Sequence, residues 1–416
     1  MLSEIEIRIW DEIVGYAAYQ NSRLVHFQFS KSFDGKYELS PIMMPRSQIK
    51  VWSFNLNEET YHGLPGLLAD SLPDKYGQQM INAYFLKQGI GQTNSLDKLC
   101  YLGTRAMGAL EFFPNQENNT KNKEIELGKL LDISAKILEQ RIKEATNEDE
   151  LARVIQMGSS AGGARAKAVI AINHKTGKIQ SGQVNNPGFE NSIIKLDGLT
   201  NETLSDPQGY TNIEYAYYLM ARDCDIEINE SRLLEKDGRS HFITKRFDRE
   251  EDGSKLHMQT LCGLAHLDFN SPRIHSYETL FRVANRLELP MASKEQIFKL
   301  MVFNVIGRNH DDHSKNFSFL MNKQGKWSLA PAYDLTYSYA PKSQWLKEHN
   351  LLINNKSSGI NRDDLMIYAK KFHIKEANNF IERTKEVFSK WQSYAKKAKV
   401  CKEKTKEIDI NLNFLD

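Results

Sequence analysis

The chain opens with strict alternation of apolar and polar positions. Ile5, Ile7 and Ile9 share one face, and Val25, Phe27 and Phe29 repeat the period of two. Asp34-Gly35 is a hairpin signal, so the first ~50 residues predict a small antiparallel sheet. From about Glu58 the period becomes helical. Leu64, Leu67, Leu68 and Leu72 fall like one helix face, punctuated by Pro65 and Pro73. Residues 115–124 are wholly polar and read as a linker. A helical segment follows over 125–156. Two strand-like runs, Ala168–Ile172 and Ser192–Leu196, flank a Gly/Asn/Pro-rich connection between Gly177 and Gly188. The pattern then predicts a helix over 211–223 and two strands over 231–247 around Lys236-Asp237-Gly238. After about 257 it is mostly helical, with strands near Phe317–Met321 and Trp327–Leu329. No internal repeat is present.

Composition narrows the class. At about 150 residues per domain, 416 residues make two or three domains or subdomains. With 40% hydrophobic and 26% charged residues the chain suits a soluble globular protein. A formal charge of +2 argues against a strongly polyanion-seeking chain, leaving only a local basic patch open. No apolar run approaches the ~18 residues of a membrane span. Ser3, Glu4 and Glu6 are unlike a secretory signal, and Cys100, Cys224, Cys262 and Cys401 are isolated. A reducing cytoplasm and no membrane partner are expected. The lysine-rich end, 390–406, reads first as a solvated helix face and second as a surface for an acidic partner.

The most informative stretch is Asn309-His310-Asp311-Asp312-His313-Ser314-Lys315-Asn316, between an apolar helix and a strand-like run. Asp311 and Asn316 are spaced D-x-x-x-x-N, the spacing of the protein-kinase catalytic loop. One carboxylate must accept or orient the proton of the attacking hydroxyl. A neutral amide oxygen five residues on can hold Mg²⁺, and Asp334, beyond the next strand, supplies a second hard ligand. Taken singly, each is as easily a turn or capping residue. His310 and His313 fit metal ligation less well than hydrogen bonds to the loop backbone.

Three further pieces carry charge or glycine. Gly158 to Lys167 (Gly-Ser-Ser-Ala-Gly-Gly-Ala-Arg-Ala-Lys) could lay backbone N–H groups against phosphates, with Arg165 and Lys167 as counter-charges. Gly158 and Gly163 have Walker spacing, but Ala164 stands where the Walker lysine belongs. A plain glycine turn explains the stretch about as well. Lys195 lies inside Ile193-Ile194-Lys195-Leu196, where its desolvation calls for an anion unless the strand is an edge. Glu214, on the helix after it, is the nearest downstream acid suited to orient it. Thr244-Lys245-Arg246-Phe247-Asp248-Arg249 ends a strand and could link two lobes, with backbone and ring available to adenine.

In this order the pieces resemble the HipA family of serine/threonine kinase toxins: Ser-x-Ala-Gly-Gly-Ala-Arg, Ile-Ile-Lys, Lys-Arg-Phe-Asp-Arg, Asp-Asp-His-Ser-Lys-Asn-Phe-Ser and Tyr-Asp-Leu. The stretch Gly63 to Asp74 adds to the likeness, which spans about 1–370. The resemblance implies an α+β, bilobed protein-kinase-like fold. Its parts would be an N-terminal β-rich subdomain at 1–115, an N-lobe-like region at 125–250 and a mostly helical C-terminal lobe at 251–416. It implies ATP and Mg²⁺ and transfer to a protein Ser/Thr, with the translation machinery as one source of substrate. It also implies a small helix-turn-helix antitoxin (HipB-like), through which DNA would be met indirectly. Carried over, Asp311 is the base and Asn316 and Asp334 hold the metal. Lys195 contacts the phosphates, Phe247 flanks adenine, and Gly162, Gly163, Arg165 and Lys167 belong to the nucleotide loop. Ser159, or Ser160 beside it, is the autophosphorylated serine, and Glu214, His313 and Lys315 support the site. Family members often carry an acid before Arg-Phe-Asp, where this chain has Lys245.

Two other functions compete. A metal-dependent phosphohydrolase could use His310, Asp311 and His313, although His257, His266 and His275 form no helical HxxxH pair. A kinase-like binding subunit without catalysis is the other, against which Asp311, Asn316 and Asp334 argue.

Overall fold

The computed structural model describes the whole chain except residues 21–22, 34–36, 116–124, 139–147, 159–165, 183–187, 200–208, 237 and 416. The Asp34-Gly35 turn and most of the polar linker therefore lie outside the described residues. The chain is α+β and divides into two compact units. The first comprises 1–211, 232–258 and 321–325, and the second 212–231, 259–320 and 326–416. No helix among the described residues is long and apolar enough to cross a membrane.

The opening alternation forms β1 (Glu4–Ile9), β2 (Glu12–Tyr19) and β3 (Val25–Phe29), and β4 (Leu110–Phe113) completes an antiparallel sheet of order β3-β2-β1-β4. Ile5, Ile7, Ile9, Val25 and Phe27 are all buried, as period two requires. β4 was not legible, because four residues are too few to show a period. The leucines at 64, 67, 68 and 72 are buried, but not on one helix. The two prolines confine the chain to single turns at Glu58–Tyr61 and Gly66–Ala69, and the first long helix is Lys75–Lys87.

The second sheet of this unit has order β6-β5-β7-β9-β8, from β5 (Lys167–Ile172), β6 (Ile179–Ser181), β7 (Glu190–Lys195), β8 (Ser231–Lys236) and β9 (Arg239–Lys245). β5 is buried at every position, which hides any alternation. The predicted strands fall where expected, and Asp237 of the predicted turn lies outside the described residues. β6 lies within what the sequence read as a loop. Helices Leu127–Leu138 and Glu148–Gly158 precede the sheet.

Asp248 is the polar anchor of this unit. It is fully buried and accepts from Arg246 Nε at 2.8 Å and Nη2 at 2.7 Å, Arg249 Nη1 at 2.9 Å and the Gly108 amide at 2.7 Å. Gly108 has φ +79°, and a Cβ there would stand 3.0 Å from the Met258 amide nitrogen, so glycine is required. Arg249 also donates to the Gly108 and Ala106 carbonyls, and Lys255 to Thr104 O and Glu111. The Arg-Phe-Asp-Arg motif thus fastens segment 104–111 to the end of β9.

The second unit is mainly helical, with a three-stranded sheet of order β10-β11-β12 from β10 (His257–Thr260), β11 (Ser318–Met321) and β12 (Trp327–Leu329). Its central helix, Met291–Ile306, buries Ile297, Phe298, Leu300, Met301, Val302, Phe303, Val305 and Ile306, an apolar surface nearly all round that marks a core helix. Tyr217, on helix Tyr210–Asp223, stacks edge-on against Phe303, Phe388 and Trp391 at 5.8–5.9 Å between ring centroids, and its hydroxyl donates to Gly307 O at 2.5 Å. A Cβ on Gly307 would lie 2.6 Å from Phe388 Cζ, so the chain can leave the central helix only through a glycine. The lysine-rich end forms helices Trp391–Lys397 and Lys402–Asn411. Trp391 is buried core, while Lys390 pairs with Glu386 and Lys404 with Glu407 at the surface.

The Asp248 network predicts a large local cost. Removing the carboxylate leaves Arg246 buried without its counter-charge, so Asp248→Ala should lower stability by about 3–5 kcal/mol. Burial alone would raise this acid. Arg246 and Arg249 instead hold it well below the usual carboxylate range, so its contribution lasts from neutral pH into strong acid. Urea unfolding at pH 7 checks the first statement, and a loss under 1 kcal/mol would contradict it.

Candidate active site

Beyond Gly307 the chain enters a short loop, residues 309–316, which ends in a 3₁₀ turn, Ser314–Asn316. Asn316 Nδ2 donates to Asp311 O at 2.7 Å, closing the D-x-x-x-x-N spacing into a ring. That bond leaves the Asn316 amide oxygen as the ligand atom. The Asp311 side chain is 47% exposed, with His313 Nε2 3.8 Å from its Oδ1. A proton acceptor for an external hydroxyl must be accessible in this way. Lys315 Nζ lies 4.6 Å from the Phe269 ring centroid, and Ser314 Oγ donates to Leu267 O at 2.6 Å.

Tyr333, the residue before Asp334, is bonded to this loop. Its hydroxyl meets Ser318 Oγ at 2.6 Å and donates to Lys315 O at 2.5 Å. The next residue, Asp334, has φ +54°. A non-glycine residue held there is locally strained, and such strain gathers at functional positions. Asn316, Tyr333 and Leu335 line one small pocket with Asn304, Asn309 and Asp312. An amide oxygen and one carboxylate suit Mg²⁺, which takes few protein ligands beside substrate phosphates and water. The donor chemistry fits that ion. Among the described residues no group of three or more His, Cys, Asp or Glu could hold a metal by itself.

That corrects the phosphohydrolase alternative. His310 is buried and Nδ1 donates to Leu346 O at 3.1 Å, while its ring packs 4.3 Å from His349. Burial and His349 push its imidazole down to about 3, and no metal trio with Asp311 and His313 forms.

The remaining expected residues are placed as follows. Lys195 ends β7, directly opposite Lys167 on β5 and Phe242 on β9, so the three side chains leave the same face. Lys195 Nζ is 5.9 Å from the Phe242 ring centroid, and Lys167 is buried. Phe247 is half-buried between Arg246 and Asp248. Those two neighbours, read from sequence as lobe linker, hold the Asp248 network. Glu214 is buried on helix Tyr210–Asp223 of the second unit. Ser159, Ser160, Gly162, Gly163 and Arg165 lie outside the described residues.

Sequence reasoning missed Asp312. It is fully buried and accepts from Tyr277 Oη at 2.9 Å, His349 Nδ1 at 2.9 Å and the Asn350 amide at 2.7 Å. Behind Tyr277, Asn304 Nδ2 donates to its hydroxyl and Asn309 Nδ2 to Asn304 Oδ1, each at 2.9 Å. Asp312 sits in the motif itself, but the spacing argument selected its neighbour. His349 carries no motif at all.

With this geometry in view, the chain was compared with known proteins. It matches the family model described as the HipA-like C-terminal domain over residues 159–393, and that of the HipA N-terminal domain over 5–113. The first alone spans more than half of the chain, which therefore belongs to the HipA family. A Sinorhizobium fredii protein named "Putative kinase Y4mE" is 24% identical over 65% of this chain and 63% of its own length. A Haemophilus influenzae protein named "Putative kinase" is 25% identical over 29% of this chain and 39% of its own. The chain thus spans less than two thirds of either relative. The HipA structure from Shewanella oneidensis MR-1, in a complex of toxin, HipB antitoxin and operator DNA, superposes with a TM-score of 0.66 at 16% identity. The match covers 98% of this chain and 94% of that one. At that identity the likeness speaks for the fold, which is the kinase-like α+β fold expected.

The buried imidazoles set a pH dependence. His310 is held down at about 3, and His257, buried beside Leu39 O, at about 4, against 6.5 ordinarily. The unfolded chain takes up protons that the folded one refuses. Stability should be full above about pH 7 and fall as pH drops through 6.5, by up to about 1.4 kcal/mol per pH unit for each group. Urea midpoints from pH 7.5 to 4.5 measure this. His310→Gln should flatten the decline, and an unchanged slope would refute the assignment.

Proposed function

We propose that this HipA-family chain is an ATP- and Mg²⁺-dependent protein serine/threonine kinase, acting in the cytoplasm as the toxin of a toxin–antitoxin pair. The observation that carries the reading is the Asn316–Asp311 ring, supported by the bond from Tyr333, the residue before Asp334, to Lys315 O of the same loop. Asp311 accepts the proton of the attacking hydroxyl as the new O–P bond forms and ADP departs. Asn316 and Asp334 hold Mg²⁺, which when bound neutralises charge on the phosphates. The charges of Lys195 and Lys167 act on the same phosphates, and Glu214, His313 and Lys315 are supporting residues. Phe247 is the ring offered to adenine, and Gly162, Gly163 and Arg165 are the phosphate loop. In this reading the chain divides functionally at 1–115, 125–250 and 251–416. It pairs with a small helix-turn-helix antitoxin, as the Shewanella protein does with HipB and DNA, and marks itself at Ser159 or Ser160.

Asp311→Asn should lower phosphoryl transfer from Mg·ATP to dephosphorylated casein, or to the chain itself, at least about 100-fold, with ATP affinity changed less than about threefold. A rate within threefold of wild type would remove Asp311 from the role. Phosphate release from phosphodiesters with Mn²⁺, and none from ATP to protein, would replace the kinase by a hydrolase.

Asn316→Ala and Asp334→Ala should weaken Mg·ATP about tenfold or more while leaving metal-free ATP nearly unaffected. Calorimetric titration with and without Mg²⁺ separates this from a structural role, in which both affinities fall together.

Incubation with Mg·ATP should add one phosphate between Met157 and Lys167 and slow the enzyme. Phosphoserine carries about −1.5 to −2 charges and competes for the donors that would cradle ATP. Peptide mass mapping decides it. Phosphate elsewhere, or phosphate there with normal ATP binding, rules the switch out.

A further inference from the structure

We infer that Asp312 is a positioning residue for phosphoryl transfer, and that His349 is the partner through which it holds the catalytic loop without any added phosphate. The inference rests on the kinase reading above. A carboxylate with no exposure needs donors, and every one of the four N–H or O–H groups on Asp312 comes from outside the loop: Tyr277 Oη, His349 Nδ1, and the amides of Asn350 and, at 3.4 Å, Leu351.

The donors come from two sides. Tyr277 begins helix Tyr277–Arg286 and is itself oriented by the Asn309–Asn304 chain, whose bonds all point towards Asp312. His349 and Asn350 belong to the segment that follows Asp334. That segment meets the loop, or the residue just before it, at three more places. Ser338 N donates to Arg308 O at 3.0 Å, His310 Nδ1 to Leu346 O at 3.1 Å, and Asn350 Nδ2 to His310 O at 2.7 Å. In protein kinases the segment after the metal-binding aspartate is commonly ordered by phosphorylation. Here a buried carboxylate–imidazole bond does that work. Asp311 and Asp312 are adjacent on the chain. Pinning the second fixes the backbone from which the first presents its exposed carboxylate, and it also fixes the carbonyl of Asp311 that Asn316 reads.

The roles predict a split in kinetics. His349→Leu removes the donor, whereas His349→Asn keeps an N–H near the place of Nδ1. With dephosphorylated casein or the chain itself as acceptor, His349→Leu should lower kcat about tenfold with KM for ATP within about threefold, and His349→Asn should recover most of that loss. Tyr277→Phe deletes one donor without changing shape. It should give a smaller kcat loss, and it serves where His349→Leu does not fold. Hydrogen exchange of the amides in 309–316 gives a reading independent of activity: faster in His349→Leu and Tyr277→Phe, near wild type in His349→Asn. If both variants keep kcat within twofold and exchange is unchanged, the inference is overturned. If kcat and ATP affinity fall together and His349→Asn restores neither, the contact is merely structural and the inference also fails. If the wild-type chain transfers no phosphoryl group, the kinase reading falls, and the exchange pattern alone judges the clamp.

Discussion

A carboxylate removed from water must be met by donors, and among the described residues each unit of this protein holds one with no exposure at all. In the first unit it is Asp248, met by two guanidinium groups and the Gly108 amide. In the second it is Asp312, met by a phenol, an imidazole and a backbone amide. The desolvation of an unmatched charge would cost several kcal/mol. The partners must therefore arrive from distant parts of the chain, and the loops that supply them become ordered as a consequence. Hydrophobic burial makes the units compact, but it is non-directional. These two carboxylates supply direction.

The second anchor lies one residue from the proposed base. A loop with an exposed acid at its tip has few apolar contacts of its own. The Asn309-to-Asn316 segment instead gains rigidity from side-chain bonds to its neighbours, from Gly307 packed against Phe388, and from Tyr333 bonded to Lys315 O. The left-handed backbone at Asp334 persists because Tyr333 on one side and the buried Leu335 on the other leave it little freedom. The left-handed backbone at Asp334 and the fixed loop that carries Asp311 thus belong to one hydrogen-bonded frame.

The same logic explains the Arg-Phe-Asp-Arg motif. Its position after a strand suggested a hinge that touches nucleotide, yet Arg246 and Asp248 are nearly inaccessible and serve the attachment of segment 104–111 to the end of β9. Phe247, between them, is half-buried.

Much was legible in the sequence because it depends on near neighbours. The alternation of Ile5, Ile7 and Ile9 specified a half-buried strand, the hydrophobic run ending at Ile306 a core helix, and the five-residue interval from Asp311 to Asn316 a closed loop. Each is a property of local periodicity or chain geometry. The leucines at 64–72 show the limit: their spacing marked burial correctly, but two prolines prevented the single helix. Tertiary structure alone decided what long-range pairing controls. β4 joins β1 from a hundred residues away, Lys167 comes to face Lys195, and Asp312, silent beside Asp311, meets His349 across 37 positions. Hydrogen bonds and charge pairs at such separations leave no period in the chain. They depend on which surfaces the buried core brings together, and that is settled only when the chain has folded.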